Sequence, residues 1–258
     1  MKGGQYITDR WMEELLAEIA KEQGIALQSY SGGWVNVLQK GERTGTFFGY
    51  KTSLNDSAAA GIANDKVATY DVLSAADIPA VPHYLVRSKA DTTYHWNRGI
   101  EGKFVAKPLN GTSGHGVKLC ESRREAEEYM RTSGITAWAV SPFADIAREV
   151  RVVVLDGRVL VSYEKLPVER SGLRMFNLGL GAKAVNVPLS SESSNLARRA
   201  MSATGLRVAA VDIVQIGEEL QVMEVNVGFS MENYMRQTAE HRLTGRGMYA
   251  DIVAAMLA

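Results

Sequence analysis

"LRVAAVDIVQIGEELQVMEVNV", residues 206–227, is two apolar runs broken at Gly217-Glu218, and it reads as two strands joined by a turn. Glu224 and Asn226 stand two apart on the second strand, so both side chains leave the same face. With the turn centred on Glu218, Asp212 lies directly across from Glu224. Facing like charges oppose strand pairing, and the neighbours Val211, Ile213, Met223 and Val225 are apolar. A divalent cation between the carboxylates would resolve that conflict. The all-oxygen set of Asp212, Glu224 and Asn226 suits Mg²⁺, with Mn²⁺ as an alternative, since such ions keep waters and take further ligands from phosphates. Two other readings stay open at this point. The three residues could simply be polar positions on a solvated sheet face, and a shift of one residue in register would separate the pair.

A phosphate-bound cation asks for a phosphate cradle, and "KPLNGTSGHGV", residues 107–117, is the candidate. Gly111, Gly114 and Gly116 can take positive φ and bring backbone N–H groups close to an anion. Thr112 and Ser113 add hydroxyls, and Lys107 supplies a point charge. The lysine precedes the glycines, unlike the G-x-x-x-x-G-K-[ST] loop that feeds a helix. Here strand-like "KFVAKPL" and "GVKLC" flank the loop, so the bland alternative is a hairpin turn. Among basic residues, Arg151 lies between apolar neighbours on a β segment, and Arg174 and Lys183 lie in an irregular stretch. Each could neutralise charge developing on a phosphoryl or acyl group. The four histidines, His83, His95, His115 and His241, are scattered without ligand spacing, and Cys120 reads as a packed thiol.

Around these motifs the chain alternates helix and antiparallel hairpin. "DRWMEELLAEIAKEQG" carries Trp11, Leu15 and Ile19 on one face and stops at Gly24. "WVNVLQKGERTGTFFGYK" reads as a hairpin, and a helix starts near Asn64 and ends at Ile78-Pro79. Ser122 with Glu125 forms a capping box, Asp156-Gly157 turns a second hairpin, and Gly205 closes a helix begun at "SESSNLARR". "ERSGLRMFNLGLGAKAVNVPL" looks like an irregular crossing, and Met248, Ile252 and Met256 mark one face of a last helix. The order points to α+β lobes rather than a doubly wound sheet.

Composition narrows the class. The 258 residues carry 29 basic and 29 acidic side chains, a formal balance of zero that argues against nucleic-acid or anionic-membrane partners. One cysteine allows no intrachain disulfide, and no signal-peptide core or membrane-length apolar run occurs, so a cytoplasmic location is expected. The oligomeric state, homo-oligomer included, is left open.

Taken in order, "NDKVATYDVLSAADIPAVP", "FVAKPLNGTSGHGV", "REVRVVVLDGRVL", "FNLGLGAKA", "RVAAVDIVQ" and "VMEVNVG" resemble the ATP-grasp superfamily. They look most like its amino-acid ligase branch, typified by the ribosomal-protein glutamate ligase, over roughly residues 63–258. "TSLNDSAAAGIANDKVATYDVL" is also similar to the ATP-grasp parts of cyanophycin synthetase and bifunctional glutathione synthetases. The resemblance implies two α+β lobes clasping ATP: a small lobe with the flap at 63–138 and a large lobe with the Mg²⁺ site at 139–258, after a short α/β region at 1–62. It implies nucleotide-binding roles for Lys66 and Lys107, and a linker at Ser141-Pro142-Phe143 that holds adenine. It also implies Glu149 near the ribose, Arg174 and Asn177 near the phosphates, and Asp212, Glu224 and Asn226 as metal ligands. The implied reaction joins a carboxylate to an amine of small-molecule or peptide substrates through an acyl phosphate, with Arg151 or Arg174 stabilising the oxyanion. A non-catalytic ATP-binding module and a phosphoryl transfer that stops at a phosphorylated product are the alternatives.

Several positions depart from the family pattern. Ser141-Pro142-Phe143 replaces a Gln-Glu-aromatic linker, and one residue is extra between Arg174 and Asn177. Gly179-Leu180-Gly181-Ala182 replaces His-Arg-Gly-Gly, and Phe229-Ser230 replaces a Pro-Gly turn. The N-terminal region also lacks the strand that normally opens the preceding domain.

Overall fold

The computed structural model describes residues 10–88, 94–96, 99–111, 114–170 and 172–258. Helix α1 (Met12–Gln23) buries Leu15, Leu16 and Ile19, and Gly24 ends it in the left-handed region at φ 63°. It leads into an antiparallel meander of β1 (Ala26–Tyr30), β2 (Val35–Lys40), β3 (Arg43–Phe48) and β4 (Lys51–Thr52). The expected 34–51 hairpin is its β2–β3 pair, turning between Lys40 and Arg43.

The helix expected from near Asn64 is α3 (Lys66–Ala75), and a helix not expected from the sequence, α2 (Ser57–Asn64), precedes it. Each helix starts at an aspartate N-cap, and the second aspartate divides the two. Asp56 accepts from Ala58 and Ala59, and Asp65 accepts from Val67 and Ala68. Lys66 is therefore the first residue of α3. The implied boundary at residue 63 runs through this pair, and Ala59, Leu73 and Ile78 share a core with Val152 and Val211 of the C-terminal sheet.

The next sheet is built from β5 (Tyr84–Ser88), β6 (Tyr94–Trp96), β7 (Phe104–Pro108), β8 (Lys118–Cys120) and, after α4 (Arg123–Ser133), β9 (Ala137–Pro142). Its order is β6-β5-β9-β7-β8. Strands β7 and β8 pair antiparallel from Phe104↔Cys120, so the Gly-rich loop does connect two strands. The Ser122 hydroxyl caps Glu125, but the Glu125 carboxylate returns to the N–H of Glu121, one residue before the cap. The α4 face packs on this sheet through Ala126 and Met130.

The third sheet contains β10 (Ile146–Leu155) and β11 (Arg158–Leu166), hinged at Asp156 (φ 47°) and Gly157 (φ 76°). The stretch expected to be an irregular crossing is largely ordered. It forms a small ladder of β12 (Val168–Arg170) with β13 (Leu173–Met175), then edge strand β14 (Lys183–Asn186). Helix α5 (Ser191–Thr204) follows, capped by Ser190 and closed by Gly205. Strands β15 (Val208–Ile216) and β16 (Glu219–Asn226) complete the order β14-β11-β10-β15-β16. After α6 (Glu232–Met235), α7 (Ala239–Met256) is longer than its apolar pattern suggested, because Gly245 and Gly247 lie inside it.

Period-two alternation splits the third sheet. Val150, Val152, Val154, Val211, Ile213 and Val225 face α5, α2 and α3. On the opposite face Val153, Leu155, Val161 and Val208 pack with α1 and α7. That second face changes character along the strands. Its continuation carries Glu149 and Arg151 on β10, Lys165 on β11, Asp212 on β15, and Glu224 and Asn226 on β16. The charged half of one sheet face is the floor of the site.

Candidate functional site

A cavity of about 800 Å³ lies over that floor, bounded by Lys107 and Ser141 of the second sheet, the 173–179 segment, and Trp34 and Tyr50 of the N-terminal meander. Asp212 does face Glu224, as the sequence suggested, but by a different route. The turn is centred between Gly217 and Glu218, with Ile216 opposite Glu219, which alone would set Asp212 against Met223. A bulge between Asp212 and Ile213 restores the pairing with Glu224.

Contrary to the expected repulsion between the carboxylates, protein cations already compensate both groups. Asp212 is only 4% exposed and accepts from Arg151 Nε at 2.8 Å and Arg151 Nη2 at 2.7 Å. Lys165 Nζ lies 2.9 Å from Asp212 Oδ1, and Asn226 Nδ2 donates to Oδ2 at 3.2 Å. Burial alone would raise the Asp212 carboxyl, but Arg151 and Lys165 outweigh it and hold it well below the usual range. Glu224 is a third exposed, and its charged neighbour is Lys66 at 3.9 Å.

Lys165 was not singled out from the sequence. It is 4% exposed and also donates to Glu149, whose carboxyl is raised because burial outweighs that attraction. Its signal was the alternation on β11: Val161, Tyr163 and Lys165 are the inward positions, and a lysine there needs partners. Glu149 lines the cavity but is engaged with Lys165.

Lys66, Lys107, Gly111 and Gly114 line the cavity, whereas Gly116 does not. Gly114 and Gly116 both sit at φ 73°, and Gly111, against expectation, is outside the positive-φ region. Gly111 instead bonds locally to Pro108 and accepts from Lys66 Nζ at 2.6 Å, tying the loop to α3. A Cβ on Gly114 would come within 2.9 Å of Asn177 Oδ1 and 3.0 Å of Met175, so the loop lies directly against the 173–179 segment. A Cβ on Gly116 would strike Pro108 at 2.8 Å, so that glycine serves the turn. Thr112 and Ser113 lie outside the described residues.

Ser141, Pro142 and Phe143 line the cavity, Ser141 and Pro142 as the end of β9. Arg174 and Asn177 line it as well, and Arg174 Nη1 donates to the Ile146 carbonyl at 2.7 Å. Trp34, Tyr50, Ser230, Glu232 and Arg236 also line the cavity, and of these only Ser230 lies at a position the sequence marked, the Phe229-Ser230 departure. Tyr50 donates to Glu232 at 3.0 Å. No cluster of three or more His, Cys, Asp or Glu able to hold a metal occurs among the described residues. The available oxygen donors are the Glu224 carboxylate, Asn226 Oδ1, and Asp212 Oδ2 if the Asn226 amide turns away. That set fits a hard divalent cation. No helix of the described residues is long and apolar enough to cross a membrane.

Two facing α+β layers with a cavity between them define an ATP-grasp fold. The chain belongs to the RimK-like ATP-grasp domain family, which it matches over residues 63–242. It is 30% identical over 201 residues to a probable alpha-L-glutamate ligase of Haemophilus influenzae, covering 76% of this chain and 64% of that protein. With the Sodalis glossinidius protein of the same name the identity is 32% over 200 residues, covering 76% and 65%. The chain thus spans slightly less than two thirds of these relatives. Among solved structures, the fold is similar to D-alanine–D-alanine ligase from Bacillus anthracis complexed with ATP (TM-score 0.57, 15% identity, 79% of this chain and 67% of that chain). It is also similar to the ATP-grasp ligase PsnB complexed with a minimal precursor (TM-score 0.56, 18% identity, 79% and 64%).

Proposed function

We propose that the chain is an ATP- and Mg²⁺-dependent carboxylate–amine ligase that forms an amide or peptide bond through an acyl phosphate. One observation carries this reading: Lys66, Lys107 and the Gly-rich loop converge on the same cavity as Asp212, Glu224 and Asn226. In this reading Lys66 and Lys107 hold phosphates, and Ser141 to Phe143 hold the adenine. Glu224, Asn226 and Asp212 would hold Mg²⁺ or Mn²⁺, which when bound neutralises phosphate charge and aligns the transfer. The substrate carboxylate attacks the γ-phosphorus and ADP leaves; an amine then attacks the acyl carbon, loses a proton and displaces inorganic phosphate. In this reading Arg174 and Arg151, whose Nη1 does not bond Asp212, would stabilise the oxyanion; both line the cavity. Closure of the Gly114 loop on Asn177 and Met175 supports the exclusion of water from the acyl phosphate. In this reading the part of the cavity lined by Glu232 and Arg236 would take the amine and carboxylate substrates. Relatives named as glutamate ligases make glutamate, free or at a peptide end, the first substrate to try.

The test is incubation with Mg·ATP, glutamate, other amino acids, short peptides and hydroxylamine. A hydroxamate formed together with ADP supports the ligase. A stable phosphorylated product without hydroxamate would replace it with a kinase-type reaction. A nucleotide-binding module without turnover is favoured by one observation, the full occupation of Asp212 by Arg151, Lys165 and Asn226. Nucleotide binding with no turnover on any of these substrates would select it.

A further inference from the structure

Among the described residues three lysines reach the cavity, and their partners differ. Lys165 is neutralised by Glu149 and Asp212, and Lys66 faces Glu224 at 3.9 Å while donating to the Gly111 carbonyl. Lys107 makes no ion pair with a carboxylate among the described residues, and Glu224 and Glu149 act on it only from beyond ion-pair distance. Its Nζ lies 3.3 Å from His83 Nε2 and 3.5 Å from Met223 Sδ, both uncharged acceptors.

The protonation of His83 follows from its other nitrogen. His83 is 2% exposed, and its Nδ1 lies 2.9 Å from the Val81 carbonyl oxygen. A carbonyl can only accept, so Nδ1 carries the proton and Nε2 presents its lone pair to Lys107. An imidazolium would aim an N–H at the ammonium. Burial first, and the Lys107 charge second, push His83 well below its ordinary value and favour the neutral ring. The backbone fixes the ring's position. Val81 donates to the Val222 carbonyl and Val222 to the Pro79 carbonyl, both at 2.9 Å, which clamps residues 79–81 along β16 beside Met223.

We propose that His83 is a positioning residue that holds the Lys107 ammonium by a neutral acceptor, so that its charge is not tied up in an ion pair and stays available to a nucleotide's phosphates. A carboxylate at this position would anchor the lysine equally well but spend its charge. Two of the three N–H groups of Lys107 face His83 and Met223, leaving the third for an anion. Desolvating an ammonium that has no carboxylate at ion-pair distance is costly; Glu224 and Glu149 offset part of that cost from further away, and a phosphate that enters relieves the rest. This inference rests on the nucleotide-binding reading of the cavity and goes beyond it by assigning a residue outside the recognised motifs.

The experiment measures binding of Mg·ADP and of adenosine by calorimetry to the wild type, His83→Leu, His83→Gln, Lys107→Met and the His83→Leu/Lys107→Met double variant. His83→Leu is expected to weaken Mg·ADP about tenfold, the size of one lost hydrogen bond to a charged group, and to leave adenosine unchanged. His83→Gln, which keeps an acceptor near Nε2, should recover most of the loss. In the Lys107→Met background His83→Leu should have no further effect. Equal loss of adenosine and Mg·ADP, an undiminished effect in the Lys107→Met background, or wild-type affinity in His83→Leu overturns the proposal. Should His83→Leu not fold, ¹⁵N NMR of the wild-type ring decides: the Nδ1–H tautomer is expected, and the Nε2–H tautomer or an imidazolium overturns it. Failure of the wild type to bind Mg·ADP would instead remove the nucleotide reading itself, and this inference with it.

Discussion

Arg151 and Asp212 face each other across β10 and β15 and are joined side-on by two hydrogen bonds of 2.8 and 2.7 Å. Asp212 is buried and the Arg151 side chain is 17% exposed, so the pair's value depends on both partners remaining. Asp212→Asn leaves Arg151 and Lys165 without their shared counter-charge. Chemical unfolding at pH 7 is expected to show a loss of about 3–5 kcal/mol. A variant within 0.5 kcal/mol or so of the wild type, the range of ordinary surface changes, would mean the pair is not formed.

The same carboxylate sets an acid sensitivity. Its folded value is depressed by Arg151 and Lys165 in spite of burial. The stability it contributes is therefore fully present above the unfolded aspartate value of about 4 and is lost as pH falls below it. Between pH 6 and pH 3 the wild type should lose more stability than Asp212→Asn, read as urea midpoints. Parallel curves for the two proteins would contradict this.

Glu224 separates function from stability, because it is a third exposed and its ion-pair contact, with Lys66, is 3.9 Å long. Glu224→Gln should unfold within about 0.5 kcal/mol of the wild type and still lose ATP-dependent hydroxamate formation. Full activity would remove Glu224 from the proposed metal set.

The Gly-rich loop offers a steric test. Gly114 sits at φ 73°, and an added Cβ would meet Asn177 and Met175 at 2.9 and 3.0 Å. Gly114→Ala should hold the loop off that segment, raise the apparent KM for ATP several-fold, and increase ATP hydrolysis relative to hydroxamate formed. Unchanged coupling would detach the loop from any sealing role.

Two glycines inside α7 are expected to respond oppositely to alanine. At Gly247 nothing lies within 4 Å of an added Cβ, so Gly247→Ala should stabilise by up to about 1 kcal/mol. At Gly245 the Cβ would fall 2.5 Å from Met235 Cγ, and Gly245→Ala should cost about 1–3 kcal/mol. Thermal melts of both variants check the sign of each.

The apolar alternation of 206–227, the Asp156-Gly157 turn and the Ser122 and Gly205 ends were legible because each is a local signal. The break between α2 and α3 was there to be read as well, since Asp56 and Asp65 are both capping residues, but "SAAAGIAN" has too little periodicity to announce a helix. The extent of α7 was hidden because Gly245 weakens the helical pattern for a reason found elsewhere in the chain, the close approach of Met235.

The residue types in the motifs, and the two-residue spacing that puts Glu224 and Asn226 on one face, are properties of the local chain. They were enough to mark an oxygen-rich face and a glycine loop behind a lysine. Which charges meet is not local. Lys165 reaches Asp212 across β10, and His83 reaches Lys107 because residues 79–81 are clamped to β16. Strand register, a bulge at Asp212/Ile213 and burial chose those partners. In a low-dielectric cavity, distances of a few ångströms separate a spent charge from an available one.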